Sequence, residues 1–431
     1  MSMILFAIFS WFLVIVVISG WHARTLRALW REPMLARPVV IVESDDWGPG
    51  PESDATMLRR IAGLLGEIRD ADGHPAVMTL GVVLGRPDGA AILADDCLCY
   101  HRRSLDEACY SAIVCEMQMG CDAGVFAFQR HGLEHCWPPS LLARAREDHA
   151  LRGWLANPDA RSEMLPSELQ SRWVDAAILP SRALPETQVD ATVKEEAIGF
   201  RRLFGEAPTV AVPNTFVWNE VVERAWAASG VRYVVTCGRQ YEGRRADGRL
   251  MLSKRQILNI EPGAHGVHYV VRDVYFEPIR GHRAEQVWEA VAQRARLGRP
   301  ALIETHRENF IVSPELAERA LSELARALRG VCSRHPDAQF CNTATLADEM
   351  SKVDSSLFVK GASDRICLVV RRLLATPALS RSMKLSGQYL LLLLIERALG
   401  RVARLASNGL VDARFKGLPE SHHAKPIPGS D

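Results

Sequence analysis

Near its start the chain reads Pro38-Val39-Val40-Ile41-Val42-Glu43-Ser44-Asp45-Asp46-Trp47-Gly48, an apolar run that leads directly into carboxylates. A short continuous apolar run is typical of a strand that is covered on both faces, as in a parallel sheet. Ligands of parallel α/β folds collect beyond the carboxyl ends of the strands. This stretch therefore predicts both the class of fold and the place of a functional site.

Apolar strands alternate with amphipathic helices along the rest of the chain. We predict strands at residues 38–42, 77–84, 124–128, 209–212, 231–236, 268–276, 300–303 and 339–342. We predict helices at residues 55–69, 140–155, 219–229, 282–297 and 314–332. The alternation indicates a mostly parallel sheet covered by helices, and the number of units suits a barrel-like α/β domain over residues 38–353. Two less regular stretches, 85–124 and 159–184, are expected to be insertions or long loops near the mouth of the fold.

The N-terminus carries an uncharged apolar run over residues 3–21, which is just long enough to cross the hydrocarbon core of a bilayer. A cleaved signal peptide is the alternative, but nothing basic precedes the run and the cleavage site is weak. We therefore expect residues 1–22 to form a transmembrane anchor. Basic residues follow the run at positions 24, 27, 31 and 37, which places the main domain in the cytoplasm at a bacterial inner membrane.

Charge and cysteine content exclude some classes of function. The chain has 52 Lys and Arg against 51 Asp and Glu, so the balance gives no reason to expect nucleic-acid binding. Ten cysteines occur without a CxxC pair. Scattered cysteines of this kind are more often buried small side chains in a reducing compartment than a disulfide framework.

Residues 354–431 differ from the domain before them, since they hold twelve Lys and Arg against six Asp and Glu. Apolar patches at 366–370 and 389–395 alternate with these arginines, and the second patch is too short to span a bilayer. Two interpretations stay open, namely helices that lie on an anionic membrane surface and a helical appendage packed on the barrel or on a partner. The last residues are expected to form a loose tail.

Three polar clusters follow predicted strands. In the first, one carboxylate of Asp45 and Asp46 can bind a divalent metal while the other takes a proton from water. In the second, His131 and His135 are spaced so that both imidazoles can reach one metal, with Asp46 as the third ligand and a position left open for water. In the third, His306 can act as a general acid. Each cluster also has an interpretation without a function. The first would be a solvated acidic loop, the second two surface histidines, and the third an unrelated histidine at a strand end.

The order of these clusters resembles the polysaccharide deacetylase family, also called NodB-like or carbohydrate esterase family 4. That resemblance implies a distorted (β/α)7-type barrel over most of the chain outside its two ends. It also implies roles for the residues that match the family motifs. Asp45 would be the general base, His306 the general acid, and Asp46, His131 and His135 the ligands of a divalent metal, with Zn²⁺ expected.

The sequence departs from the family pattern in its third motif, where an arginine that orients the base is missing. Arg272 and Arg307 are candidates to replace it in space, and Asp273 is our candidate for the carboxylate that tunes His306. Gly132 stands where the family has Ser or Thr, which removes a hydroxyl group but no ligand. The side chains expected to contact a sugar substrate are Trp47, Pro213, Phe216 and Trp218.

The expected activity is metal-dependent hydrolysis of an N- or O-acetyl group on a sugar or a polysaccharide precursor. One alternative is a glycoside hydrolase of the same superfamily, with Asp45 paired across the bond with Glu304 or Glu308. Another alternative is a non-catalytic sugar-binding or scaffold protein in polysaccharide assembly.

Overall fold

The computed structural model describes residues 2–253, 256–352 and 354–399. The predicted tail, the last five basic residues of the extension and Val353 lie outside these ranges. The chain divides into two units, one formed by Arg31–Phe358 and the other by the first 30 residues together with the chain after Phe358. The domain boundaries predicted from the sequence, after residue 22 for the anchor and after residue 353 for the barrel, stay predictions.

Strands are found at β1 Val39–Trp47, β2 Met78–Val82, β3 Gly85–Pro87, β4 Arg102–Ser104, β5 Phe126–Arg130, β6 Val174–Asp175, β7 Arg182–Ala183, β8 Val210–Ala211, β9 Tyr233–Thr236, β10 Tyr241–Arg244, β11 Leu250–Leu252, β12 His268–Val271, β13 Val274–Tyr275, β14 Ala301–His306 and β15 Gln339–Phe340.

Helices are found at α1 Ser2–Trp21, α2 Ala23–Arg31, α3 Ser53–Glu67, α4 Gly89–Ala94, α5 Ser111–Asp122, α6 Pro138–Glu147, α7 His149–Ala156, α8 Glu186–Phe204, α9 Glu220–Ala228, α10 Ala284–Arg296, α11 Glu308–Ile311, α12 Pro314–Arg334, α13 Thr343–Ser351, α14 Ala362–Ala375 and α15 Pro377–Leu385.

The main sheet curls into a ring of parallel strands. Its order is β12-β9-β8-β5-β2-β1-β14-β13, and β15 adds to β1 beside this path. The two end strands, β12 and β13, are separated in the chain only by Arg272 and Asp273. One short stretch therefore pairs with β9 through its first half and with β14 through its second half. This arrangement gives seven strand positions and confirms the predicted distorted (β/α) barrel.

The continuous apolar run of β1 is explained by burial on both of its faces. Val39 and Ile41 pack inside the curled sheet, together with Val235 of β9 and Leu302 of β14. Val40 and Val42 belong to a second apolar cluster, which includes residues of the covering helices α3 and α12. Because successive side chains of a strand point to opposite faces, only an unbroken apolar run satisfies both clusters.

Some helices differ from the prediction. The helix expected over 140–155 is two helices, since Asp148 begins α7 by accepting a hydrogen bond from the backbone N–H of Ala150 at 2.8 Å. Helix α8 was not predicted, and α5 lies in the stretch expected to be irregular. Both are amphipathic only weakly, which is why a search for helical periodicity misses them.

The second unit is helical where it is described. Residues Met3–Trp21 form one helix that is long and apolar enough to cross a membrane, and the same property suits a signal sequence. Within this unit the indole Nε1 of Trp11 donates to the backbone oxygen of Ser386 at 2.8 Å. The predicted extension is helical in α14 and α15.

All ten cysteines lie in the described part of the chain, and none of them forms a disulfide. The expectation that they are buried holds for Cys97, Cys136 and Cys367 only. Cys99, Cys109 and Cys115 are exposed, and the other four are partly buried.

Candidate metal and acid–base site

Two neighbouring carboxylates enter one cavity because β1 is irregular at its end. Ser44 lies opposite Leu80 of β2 and Trp47 lies opposite Val82, so Gly81 alone faces both Asp45 and Asp46. Asp46 occupies the left-handed region with φ 72°. This bulge breaks the alternation of side chains that a regular strand would impose. Both carboxylates therefore line the same cavity of about 140 Å³.

Asp46 lies between the two predicted imidazole ligands. Its Oδ1 atom is 3.1 Å from Nε2 of His131 and 3.1 Å from Nε2 of His135. All three side chains are buried, and one ligand atom from each lies within 4.8 Å of the others. The stretch that carries the histidines is a loop between β5 and α6, so the two imidazoles converge through a turn of the loop.

Gly132 allows this loop to turn between the two histidines. Its φ is +106°, and a Cβ atom placed there would lie 2.9 Å from the backbone oxygen of Glu134. A residue with a side chain is therefore strained at this position. The departure from Ser or Thr follows from the local backbone conformation of this chain.

Buried hydrogen bonds fix the orientation of His131. Its Nδ1 atom lies 3.0 Å from the backbone oxygen of Val212, which leaves Nε2 facing Asp46. The side chain of Asn214 donates to the backbone oxygen of His131 at 2.7 Å. The Glu196 carboxylate accepts from the backbone N–H of Gly132 at 2.9 Å. Ligating histidines commonly hold their second ring nitrogen in this way.

Asp45 is bound by an arginine from the link between β12 and β13. Arg272 Nη2 donates to Asp45 Oδ2 at 2.7 Å, and Arg272 Nη1 donates to Glu43 at 3.0 Å. Its Nε atom lies 3.4 Å from Glu304. Burial opposes the ionisation of Asp45, but the Arg272 guanidinium and His131 hold the pKa of this carboxyl below its usual value. Of the two arginines expected near Asp45, Arg272 is thus the one whose side chain contacts it.

Arg307, the other candidate, does not reach the Asp45 side chain. Its backbone N–H donates to the backbone oxygen of Asp45 at 3.0 Å, while its guanidinium lies 3.7 Å from Asp54 and 3.6 Å from Glu163. The Arg307 guanidinium is therefore close to carboxylates other than Asp45.

His306 pairs with Glu277, not with Asp273. The Nδ1 atom of His306 lies 2.5 Å from Glu277 Oε1, and Asn309 also donates to this carboxylate. The expectation for Asp273 is wrong, because its carboxylate is bound by Arg294 at 2.9 Å. Burial lowers the pKa of His306, but the hydrogen bond to Glu277 and the nearby aspartates outweigh it and raise the pKa to about 10. His306 is therefore protonated at neutral pH.

The four side chains expected to contact substrate separate into two pairs. Pro213 and Phe216 line the cavity, and the Phe216 ring packs 5.3 Å from the Arg272 guanidinium. Trp47 and Trp218 are fully buried, and their indole N–H groups donate to Ser44 and Glu223 respectively. The expectation for these two tryptophans is wrong, since aromatic residues near strand ends complete the core here.

The donor set fits a divalent transition metal. One carboxylate oxygen and two imidazole nitrogens are the ligands that catalytic zinc sites use, with a further position for water or substrate. Burial opposes charge on Asp46, but His135 and His131 hold its pKa well below the usual range. An ionised carboxylate is available as a ligand over the whole physiological range of pH.

Sequence reasoning missed several residues that support the site. Glu277 directly follows the predicted strand 268–276, and a carboxylate at the end of that strand was the signal that could have identified it. Glu43 is buried between Arg272 and Thr343, where an apolar side chain would be expected. Nothing in the sequence pattern indicates Glu196 or Asn309, because their roles depend on contacts between distant elements.

Comparison with known proteins gives matches only at the level of structure. No protein-family model and no curated protein matches the sequence. Many of the solved structures that match are family 4 carbohydrate esterases or polysaccharide deacetylases. A family 4 carbohydrate esterase from Streptomyces lividans, solved with acetate, is 12% identical with a TM-score of 0.33, and the match covers 72% of this chain and 92% of that one.

Two further structures show the range of the matches. A family 4 acetyl xylan esterase from Clostridium thermocellum, solved with a cobalt ion, is 13% identical with a TM-score of 0.35 and covers 75% of this chain and 100% of that one. A 4-α-glucanotransferase from Thermococcus litoralis is 10% identical with a TM-score of 0.41 and covers 82% of this chain and 47% of that one. At TM-scores this low the likenesses do not bear on activity, which is argued from the side chains of the site.

Proposed function

We propose that this protein hydrolyses an N- or O-acetyl group on a sugar or a polysaccharide precursor, with a divalent metal, Zn²⁺ in our proposal, held by Asp46, His131 and His135. The observation that carries the proposal is the 3.1 Å approach of Asp46 Oδ1 to both imidazoles, beside a second carboxylate and a protonated histidine in one cavity. A bound divalent ion would supply acidity to a water molecule and polarise the acyl carbonyl.

In this proposal Asp45 takes the proton of the attacking water. Its pKa is held below the usual value, so the carboxylate is ionised and ready to accept a proton. Arg272 fixes the orientation of this carboxylate through the 2.7 Å contact to Oδ2, which leaves Oδ1 towards Gln129 at 3.5 Å. The base is therefore held at a defined position, as general-base catalysis requires.

His306 donates a proton to the departing amine or hydroxyl group of the sugar. It has the required proton at neutral pH, because Glu277 and the aspartates raise its pKa to about 10. Glu277 contacts the Nδ1 side of the ring, so Nε2 is left to face the cavity. Base and acid then act from different strands, Asp45 from β1 and His306 from β14.

The alternative of a glycoside hydrolase is less well supported. Asp45 and Glu304 both contact the single guanidinium of Arg272, which gives them a shared role in holding this arginine. A glycosidase would also have no use for the Asp46, His131 and His135 cluster. We further propose that the N-terminal helix anchors the chain in a membrane with the barrel in the cytoplasm, which agrees with the basic residues after the helix.

Metal content and acetate release test the proposal. Detergent-solubilised full-length protein would be assayed for metals by elemental analysis and for acetate release from N-acetylglucosamine oligomers and other acetylated sugars. His131→Ala should lose both metal and activity, and Asp45→Asn should keep the metal and lose activity. His149→Ala, which changes an exposed histidine at the start of α7, is the matched control and should keep both.

Two outcomes would contradict the proposal. If the protein binds no metal after reconstitution with Zn²⁺, the ligand assignment is wrong and the mechanism fails with it. If the metal is present but no acetylated sugar releases acetate, the site is a metal site with a different substrate.

A further inference from the structure

A second cavity adjoins the one that holds the catalytic side chains. Its volume is about 240 Å³, and Asp46 and His135 line both cavities. Its remaining walls come from β3 and its flanks, from the chain around α7, and from the residue that follows β14. A ligand that reaches the Asp46 and His135 side chains can therefore extend into this second cavity without leaving the protein surface.

The charged residues around the second cavity are mostly basic. Four arginines line it, and they are Arg86, Arg103, Arg161 and Arg307. The acidic residues that line it are Asp46 and Asp88. The Asp88 side chain accepts a hydrogen bond from the backbone N–H of Ala91 at the start of α4. We refer to this cavity as the arginine pocket.

Two of these arginines form no direct ion pair. Within the described residues no carboxylate lies within 4.0 Å of the guanidinium of Arg86 or Arg161, whereas Arg103 pairs with Glu107 at 2.7 Å. The Nη atoms of Arg86 reach only the Pro158 carbonyl at 3.4 Å, and the Nε atoms of Arg86 and Arg161 are buried without a hydrogen-bond partner. The buried Asp54 carboxylate interacts electrostatically with Arg307, Arg161 and Arg86, and Glu163 lies close to the same group. The three guanidinium groups exceed these two carboxylates in charge, so a ligand with negative charge is favoured here.

The catalytic cavity has the opposite character. Carboxylates line it at Asp45, Asp46, Glu163, Glu304 and Glu308, and only Arg272 and Arg280 among its lining residues are arginines. Arg272 is already bound by three carboxylates. Carboxylates outnumber arginines among the residues that line that cavity, so an anionic substituent is better matched to the arginine pocket.

We propose that the arginine pocket binds a phosphoryl group attached to the acetylated sugar, so that the substrate is a sugar phosphate or diphosphate. This inference rests on the proposed function for the acyl end of the substrate. The arginines that line the pocket carry an excess of positive charge, which suits a phosphate monoester with a charge of about −1.5 to −2 at neutral pH. Arginine also binds phosphate through two parallel hydrogen bonds. The cavity exceeds the roughly 150 Å³ that holds one benzene molecule, so a phosphate or diphosphate fits.

Anion binding tests the pocket separately from catalysis. Inorganic phosphate and diphosphate would be titrated by calorimetry into metal-free full-length protein in detergent. Arg86→Gln and Arg161→Gln should each weaken diphosphate binding by about tenfold or more, because a charge-assisted hydrogen bond is lost. His131→Ala and the outer-surface variant Arg224→Gln should bind as the wild type does. Arg161→Lys should keep part of the affinity, which separates lost charge from a folding defect.

Acetate release then tests the substrate class. A neutral N-acetylglucosamine oligomer would be compared with two diphosphate-bearing N-acetyl sugars, one carrying uridine and one carrying a polyprenyl chain. We expect a KM about tenfold lower or better for a diphosphate-bearing sugar, and we expect Arg86→Gln to remove this advantage. The diphosphate-bearing sugar with the lower KM shows whether the phosphoryl group belongs to a nucleotide or to a lipid carrier.

The two proposals fail in different ways. Equal KM for neutral and phosphorylated sugars, or diphosphate binding that Arg86→Gln and Arg161→Gln leave unchanged, overturns the arginine pocket and leaves the proposed hydrolysis standing. Specific diphosphate binding without acetate release from any sugar contradicts the hydrolysis and supports the pocket.

Discussion

Arg272 Nη2 lies 2.7 Å from Asp45 Oδ2, although 227 positions separate the two residues in the chain. The arginine comes from the link between β12 and β13, and the aspartate comes from the bulge at the end of β1. Glu43 and Glu304 hold the same guanidinium from two other sides. The side chain that holds Asp45 is therefore supplied by a later part of the ring, between β12 and β13.

Replacement of Arg272 by lysine should lower kcat by about 100-fold with little change in KM. Lysine keeps the positive charge but cannot contact three carboxylates at once, and a small displacement of a catalytic group costs about this factor. Steady-state kinetics on the acetylated substrate would measure the effect. Arg299→Lys is the control and should leave kcat unchanged, because this partly buried arginine pairs with Glu32 and does not line the cavity. An unchanged kcat in Arg272→Lys would show that Asp45 does not need this partner.

Replacement of Gly81 by alanine should reduce activity more than stability. A Cβ atom at this position would lie 2.3 Å from Asp45 Oδ1, so the carboxylate must move. We expect a loss of activity of about tenfold or more, since catalysis depends on this position. Gly66→Ala in α3 is the matched control, because nothing lies within 4 Å of its Cβ position. It should raise the free energy of unfolding by about 0.5–1 kcal/mol and keep full activity. Full activity in Gly81→Ala would argue against Asp45 as the base.

The activity of the wild type should fall at high pH as His306 loses its proton. The pKa of His306 is raised from 6.5 to about 10, so the folded state holds this proton more tightly than the unfolded chain does. The associated stabilisation is complete below about pH 6.5 and is lost as the pH rises towards 10.

Glu277→Gln should therefore shift the basic limb of kcat/KM to lower pH by about one unit or more, because it removes the negative charge beside His306. Asp273→Asn is the matched control, since Asp273 pairs with Arg294 and should leave the limb in place. A pH profile of kcat/KM measures both variants. A shift in Asp273→Asn without a shift in Glu277→Gln would reverse the assignment of the partner of His306.

The two aromatic residues near β8 should respond differently to substitution. Phe216→Ala should raise KM, since this ring lines the catalytic cavity. Trp218→Phe should leave KM unchanged and lower the free energy of unfolding by about 2 kcal/mol, because a hydrogen bond to the buried Glu223 is lost. Kinetics and thermal unfolding of the two variants separate the effects. A higher KM in Trp218→Phe would restore Trp218 as a residue that contacts substrate.

The sequence predicted the elements that local patterns encode. Apolar runs located the ring strands, and the position of Asp45, Asp46, His131 and His306 after strands predicted that they meet. Side-chain contacts that depend on the register between distant strands were harder to predict from the sequence. Arg272 and Arg307 both follow predicted strands and were both candidates to contact Asp45. Only the geometry of the ring shows that Arg272 makes this contact. Asp273 directly follows Arg272, and successive side chains of an extended chain face opposite ways. Its carboxylate therefore pairs with Arg294 and does not reach His306.

Trp47 and Trp218 show a second limit of sequence patterns. Asp46 and Phe216, which lie close to them in the chain, line the cavity. Both indoles are nevertheless buried, and their N–H groups donate to polar side chains. Composition near a strand end does not distinguish an aromatic ring that contacts a sugar from one that completes the core. The bulge at Asp46 was equally hidden, because it depends on pairing with β2.

The short stretch that joins β12 to β13 touches both ends of the curled sheet and also carries Arg272. A chain in which this contact has not formed lacks the arginine that holds Asp45, even if every other strand is in place. Closure of the ring and placement of Arg272 beside Asp45 are thereby one event, so the buried ion pair reports on the completeness of the domain.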